Sequence, residues 1–412
     1  MSQSPGALTF AGMDFDGVPL EKTIADLLKF VVQVPVSDLF INCDESNVSI
    51  SVRHMGIFKH LTSVSQKNGR RLINRIKAAA NMDLAQRFHP LDGRWVAELD
   101  DGCQVDLRVN TIPTLFGEDM AIRLLRHGEQ QLDLSTLGFH HKNLDDLLSL
   151  LARPSGLILV TGPAGAGKTT SLYAALTHLN NGMRKINTIE DPVEYVIPGI
   201  RQSQIRPKRG LGFSELLSSV LRQAPDVIMV GEIRDSETAE TAVRAANTGH
   251  LVFATLHAPV AAGAIDAMLA LGTVPHFLAT SLIGIVSQRL VRKLCGRCKV
   301  SFDLSGAPET FDDIREMLKP GQGEFIHSAP GCEHCYQEGY NGRTGVAEVL
   351  RVTKEIRRLI FERSSAQEIR DEALRQGMLD LRRSALLKVA QGITSTEELI
   401  RVIPTEHLLP DD

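Results

Sequence analysis

The run Gly162-Pro163-Ala164-Gly165-Ala166-Gly167-Lys168-Thr169 fits the pattern G-x-x-x-x-G-K-[ST] at every fixed position. A loop of this kind wraps backbone N–H groups around the phosphates of a nucleotide. It therefore demands a strand before it and a helix after it, and both are legible. The apolar run Gly156-Leu157-Ile158-Leu159-Val160 reads as a buried strand leading in. Residues 170–179, beginning at Thr170, read as the helix leading out, with its positive dipole end at the phosphates. Lys168 is expected at the β- and γ-phosphates, and the Thr169 hydroxyl on magnesium.

A chain of 412 residues exceeds one ordinary core, so two or three domains are expected. Apolar content of 43% and charged content of 23% fit a globular protein. A formal charge of −4 gives no overall pull toward nucleic acid or an acidic membrane. The basic clusters at 206–209 and 289–293 read as solvated faces. Residues 1–6 lack a signal-peptide pattern. The longest apolar stretch, 261–291, is interrupted by Asp266, His276, Gln288 and Arg289, so no spanning helix is expected. On these features a cytosolic location is expected, with any membrane link made through a partner.

Residues 1–18 read as a loose tail. Residues 19–130 read as a small α+β domain. Its helix at 20–34 carries Ile24, Leu27, Leu28 and Val31; strands are expected at 39–41, 48–58, 94–99 and 105–109, with a helix at 68–82. The segment 128–135 reads as a linker. From there, apolar strands at 157–160, 185–189, 227–230 and 251–254 alternate with helices, the order of a parallel sheet covered on both faces. This core is expected over 131–290, a cysteine-bearing element over 291–345 and a helical region over 346–412.

Three further runs follow the loop. Ile189-Glu190-Asp191-Pro192-Val193-Glu194-Tyr195 sets carboxylates just past a strand end, where ligands of open α/β sheets bind. Val227-Ile228-Met229-Val230-Gly231-Glu232-Ile233-Arg234-Asp235 delivers Glu232 to the same edge, where a carboxylate can orient and deprotonate water. Thr248-Gly249-His250 and Thr255-Leu256-His257 bracket another strand. Singly these read as a helix cap or a structural histidine; in this order after a P-loop they read as a nucleotide site.

Of six cysteines, Cys43 and Cys103 stand alone and read as core residues. Cys295-x-x-Cys298 and Cys332-x-x-Cys335 are two knuckles suited to tetrahedral zinc. A redox dithiol or plain core cysteines are the alternatives, and His327 and His334 are possible substitute ligands.

With those motifs in view, the chain resembles the secretion and type IV pilus motor ATPases over roughly residues 20–412. I-E-D-P-V-E-Y matches that family's Asp box, V-G-E-I-R-D its variant Walker B and T-G-H-L-V-F-A-T-L-H its His box. The resemblance implies a RecA-like ATPase core, a preceding PAS-like α+β domain and a zinc knuckle followed by helices. It makes Glu232 the base, with Lys168, Glu190 and His257 beside it. Glu190 is a further candidate ligand for magnesium. The resemblance also implies that Arg94 and Arg108 reach the nucleotide, with Arg123 a third candidate. The cofactors implied are ATP, Mg2+ and Zn2+.

The function implied is a homohexameric ATPase on the cytoplasmic face of the inner membrane. It would act on a membrane platform protein that extrudes pilin or pseudopilin. Four cysteines favour assembly or secretion over retraction, since retraction motors typically lack them. Only residues 1–18 precede the arginine-bearing domain, whereas longer members carry an additional docking domain, so a short adaptor protein is a candidate partner. The alternatives are a retraction motor, a DNA-uptake or conjugation motor of the same superfamily, a nucleic-acid motor, and a non-catalytic ATP-binding subunit. With one Trp and four Tyr, base-stacking platforms are scarce and no direct nucleic-acid contact is expected.

Overall fold

A computed structural model describes residues 19–99, 102, 104–125 and 133–404. The tail 1–18, Cys103 and most of the expected linker lie outside the described residues. The chain forms two compact units. The described residues up to 125 gather with Cys295–Cys298 and Pro330–Gly342 in the first, and the other described residues form the second.

In the first unit, the helix Leu20–Gln33 buries Ile24, Leu27, Leu28 and Val31, the stripe its spacing dictates. Six strands follow: β1 (Val36–Cys43), β2 (Asn47–His54), β3 (Ile57–Ser65), β4 (Leu91–Glu98), β5 (Gln104–Thr114) and β6 (Gly117–Leu125). They form one antiparallel sheet in the order β3-β2-β1-β6-β5-β4. Leu39, Ile41, Ile50, Val52, Leu107, Val109 and Ile122 form the core with the helices Leu20–Gln33 and Gln66–Ala79. Alternation leaves the other face open, where charged side chains mix with apolar ones, among them Phe40 and Phe58 with ring centroids 5.5 Å apart. The strand expected over 48–58 is instead a hairpin. Met55 (φ 46°) and Gly56 (φ 85°) are both left-handed and turn the chain at that point. Lys77 is fully buried and pairs with Glu118 at 2.7 Å, fastening the second helix to β6.

The second unit contains β7 (Gly156–Thr161), β8 (Ile186–Glu190), β9 (Arg201–Gln204), β10 (Val227–Val230), β11 (Leu251–Leu256) and β12 (Leu282–Leu294). A small hairpin, β13 (Val300–Asp303) and β14 (Phe325–Ser328), follows, and then β15 (Tyr340–Arg351). The main sheet runs β15-β12-β7-β11-β10-β8-β9, and β7 to β12 pair in parallel. Every residue of β7, β8, β10 and β11 is buried, as a sheet covered on both faces requires. The apolar stretch 261–291 is two helices, Ala261–Ala270 and Pro275–Ser281, and then most of β12. Among the described residues no helix is long and apolar enough to cross a membrane.

Candidate nucleotide site, arginine row and cysteine cluster

The P-loop leaves the carboxyl end of β7. Gly167 (φ 86°) is the N-cap of the helix Lys168–Leu179, a left-handed turn that favours glycine. Gly162 (φ 141°) is held so close that a Cβ there would lie 2.4 Å from the Gln288 carbonyl oxygen. Pro163, Ala164 and Gly165 are exposed, Ala166 is buried, and Thr169 and Thr170 are exposed on the first helical turn. Lys168 donates to the carbonyls of Gly162 (2.8 Å) and Pro163 (3.0 Å). Burial lowers its ammonium pKa, against the raising influence of the Glu232 charge.

Glu232 follows β10, and its chain path is fixed by the Gly231 N–H donating to the Ile189 carbonyl at 2.7 Å. One carboxylate oxygen lies 2.9 Å from His257 Nε2, and the other accepts from Arg234 Nε at 2.7 Å. The hydrogen bond to Glu232 raises the Arg234 pKa. His257 and Arg234 are more than half exposed, whereas Glu232 is 18% exposed. A carboxylate, an imidazole and a guanidinium thus converge near the loop lysine. Arg234 belongs to the 227–235 run, but the run alone assigns it no role. Its position two residues after Glu232, beyond a strand end, was the available signal.

Glu190 is 3% exposed, and its oxygens accept from the Tyr173 hydroxyl, from Thr188 Oγ1 at 2.5 Å and from Gln202 Nε2 at 3.1 Å. It is the centre of a buried hydrogen-bond cluster. His250 sits at the opposite end of β11, with its ring Nδ1 2.9 Å from the Ala245 carbonyl, a structural role.

In the first unit the open sheet face holds an ordered row of charge. Strand register pairs Arg94 with Arg108, Arg108 with Arg123, Arg123 with Asp38, and Asp38 with Arg53. Cross-strand partners share a face about 4.8 Å apart, so Arg94 and Arg123 are about 10 Å apart through the backbone. Like charges set opposite one another are destabilising. Two carboxylates offset this. Asp106, 3% exposed, holds Arg94 at 2.6–3.1 Å through two nitrogens, and Asp38 accepts from Arg123 Nε at 3.1 Å. Neither aspartate was singled out from sequence, because the pairing depends on register.

The four knuckle cysteines converge with all Sγ atoms within 4.8 Å of one another. Cys295–Cys332, Cys298–Cys335 and Cys332–Cys335 are separated by 3.9, 3.8 and 3.7 Å. A tetrahedron with metal–sulfur bonds of about 2.3 Å has edges of about 3.8 Å. The group therefore fits one tetrahedral ion, and neither His327 nor His334 belongs to it. Burial pushes the Cys298 thiol up to about 12, while the Cys335 backbone N–H holds Cys332 down to about 7. Tyr336, beside the knuckle, packs against the core of the first unit, and Glu338 pairs with Lys59 at 2.8 Å.

A parallel sheet with a P-loop at one strand end and a carboxylate beyond another is the arrangement of a P-loop nucleotide-binding protein. The chain belongs to the type II/IV secretion system protein family, whose model matches residues 14–401. It is 40% identical over 387 residues to the type II secretion system ATPase E of Vibrio cholerae, covering 94% of this chain and 76% of that one. It is also 40% identical to the type IV pilus assembly ATPase PilB of Pseudomonas aeruginosa, covering 95% and 69%. The solved structure of the pilus retraction motor PilT with bound ADP superposes with a TM-score of 0.62 at 25% identity, covering 94% and 97%.

Proposed function

We propose that this chain is a cytoplasmic motor that hydrolyses ATP to drive type II secretion or type IV pilus assembly, working as a homohexamer on an inner-membrane platform protein. The observation that carries the reading is Glu232, held between His257 and Arg234 at the sheet edge that also presents the P-loop.

In this reading residues 162–170 cradle the phosphates and Lys168 neutralises the β- and γ-oxygens. Thr169 would hold magnesium, whose charge would offset that of the phosphates; its exposed hydroxyl on the first helical turn fits that task. Glu232 orients a water and takes its proton as the water oxygen attacks the γ-phosphorus. The bond to the bridging oxygen breaks, and ADP leaves with the electron pair. His257 and Arg234 keep the carboxylate aimed. Glu190 serves by stiffening the Asp-box loop, since its oxygens are already engaged. The arginine row supplies guanidiniums to the γ-phosphate of a neighbouring subunit. Four cysteines without an open position would hold a structural zinc.

Retraction is the weaker alternative. Identity to the retraction motor is 25%, against 40% to the secretion and assembly ATPases, and the cysteine cluster favours the same side. Glu232→Gln should keep nucleotide binding and lose about 10²–10⁴-fold in turnover. Turnover near that of the unaltered chain, measured as phosphate release, would sink Glu232 as the base.

A further inference from the structure

Strand β12 carries Gln288 and Arg289 to the site, and neither belongs to its motifs. Gln288 is 2% exposed, and its Nε2 donates to the Ala166 carbonyl at 2.8 Å. The Ala166–Gly167 peptide is trans, and a trans peptide points its C=O and N–H in opposite directions. Drawing the Ala166 oxygen onto β12 therefore turns the Gly167 N–H away from the strand, toward the open side of the loop. Backbone N–H groups on that side are what a P-loop offers to phosphate.

The other amide atom shows that packing alone does not explain Gln288. Its Oε1 is buried and accepts no hydrogen bond from the described residues. An orphaned buried acceptor is destabilising, and a methionine would fill the space without one. What the amide adds over an apolar side chain is the single bond to Ala166.

Arg289 is 4% exposed, and its Nη2 donates to the Pro259 carbonyl at 2.8 Å. Pro259 lies in the segment that carries His257 to Glu232. Thr161 Oγ1 fastens the same segment, donating to the Ala258 carbonyl at 2.8 Å and accepting from the Ala258 N–H at 2.7 Å. The Arg289 guanidinium also lies against the first loop glycine, since a Cβ on Gly162 would meet Nη1 at 3.5 Å.

We propose that Gln288 and Arg289 are positioning residues of the ATPase site. Gln288 aims the Gly167 N–H at the phosphates, and Arg289 holds the His257 segment in place. The Arg289 half rests on the reading of Glu232 and His257 given above; the Gln288 half needs only nucleotide binding.

The test uses the full chain and measures three quantities: the Kd of a fluorescent ADP analogue, kcat, and the thermal midpoint. Gln288→Met should raise Kd about tenfold, the loss of one hydrogen bond worth about 1.4 kcal/mol, with kcat lowered less than about threefold. Arg289→Met should lower kcat about tenfold or more while Kd stays within about threefold. Arg289→Lys, which can still donate to Pro259, should recover part of that loss. Gln288→Leu replaces the methionine variant if the latter does not fold. An unchanged Kd in the Gln288 variants overturns the first half. A rise in Kd that runs parallel to falls in kcat and thermal midpoint in both sets of variants, or failure of all variants to fold, reduces the pair to packing. Normal turnover in Glu232→Gln would withdraw the basis for the Arg289 half and leave the Gln288 measurement meaningful.

Discussion

The two sheets deploy charge in opposite ways. In the parallel sheet of the second unit every residue of β7, β10 and β11 is buried, so its chemistry sits in the loops beyond the strand ends. Lys168, Glu232 and His257 are all loop or helix-start residues. In the antiparallel sheet of the first unit one face is open, and Arg94, Arg108 and Arg123 lie within the strands, side by side across three of them. The first arrangement concentrates function into short contiguous motifs. The second scatters it along the chain and reassembles it by register.

The sharpest way to break this comparison is to ask whether the row acts on the loop site at all. Arg94→Ala/Arg108→Ala should lower ATP turnover by at least about 10²-fold, because guanidiniums at a transferring phosphoryl group commonly contribute that much or more. If they act across a subunit boundary, mixing these subunits with Lys168→Ala subunits should restore part of the activity. Some interfaces then join an intact P-loop to intact arginines. Demonstrated subunit exchange with no recovery at any ratio would confine the arginines to their own subunit or to a purely structural task.

A smaller effect concerns how the first unit is completed. The chain contributes Cys295–Cys298 and Pro330–Gly342 to that unit from far along its length. Long-range closure of this kind gains from a metal staple. Cys295→Ser should lower metal content from about one ion per chain and drop the thermal midpoint by roughly 5–10 °C. Purified protein without zinc and with four freely reactive thiols would leave the cluster as ordinary core cysteines.

The same contrast explains what could be read from sequence. The P-loop, the Asp box, the Glu232 run and both C-x-x-C pairs were legible, because each is a contiguous string tied to one local geometry. So were the buried strands at 157–160, 227–230 and 251–254. The hairpin at Met55–Gly56 did have a signal: the alternation of Val48, Ile50 and Val52 stops at His54, Met55 is apolar out of phase, and Gly56 marks the turn. Asp38 and Asp106 had no such signal: their importance comes from register, and pairing across β1, β6, β5 and β4 has no local signature. Gln288 and Arg289 lie in a run whose polarity argues against a membrane span, and Arg289 begins the basic cluster expected as a solvated face, whereas the structure buries Arg289 and Arg292. What hid them was β12 itself, which comes to lie beside β7 through a parallel crossover.

The smallest effect separates the two units by how each answers a buried acid. In the first, Asp106 is met by the Arg94 guanidinium. In the second, Glu348 on β15 is 2% exposed and is met by backbone N–H groups, Ala261 at 2.6 Å and Leu381 at 3.1 Å. These do not offset the desolvation. Burial, helped by the nearby Asp380 charge, pushes the Glu348 carboxyl from the ordinary 4.5 up to about 7. The folded state therefore binds this proton more tightly than the unfolded chain does. The resulting stabilisation is fully present below about pH 4.5 and is lost as pH rises through about 7. Glu348→Gln carries no proton to lose, so its fixed packing cost is the same at every pH. Its stability deficit relative to the unaltered chain, from denaturant unfolding of the second unit, should be about 2 kcal/mol smaller at pH 8 than at pH 5.5. A deficit that stays constant between those two pH values would mean that Glu348 titrates alike in the folded and unfolded chain. The backbone donors alone would then suffice for a buried carboxylate, and the contrast with Asp106 would disappear.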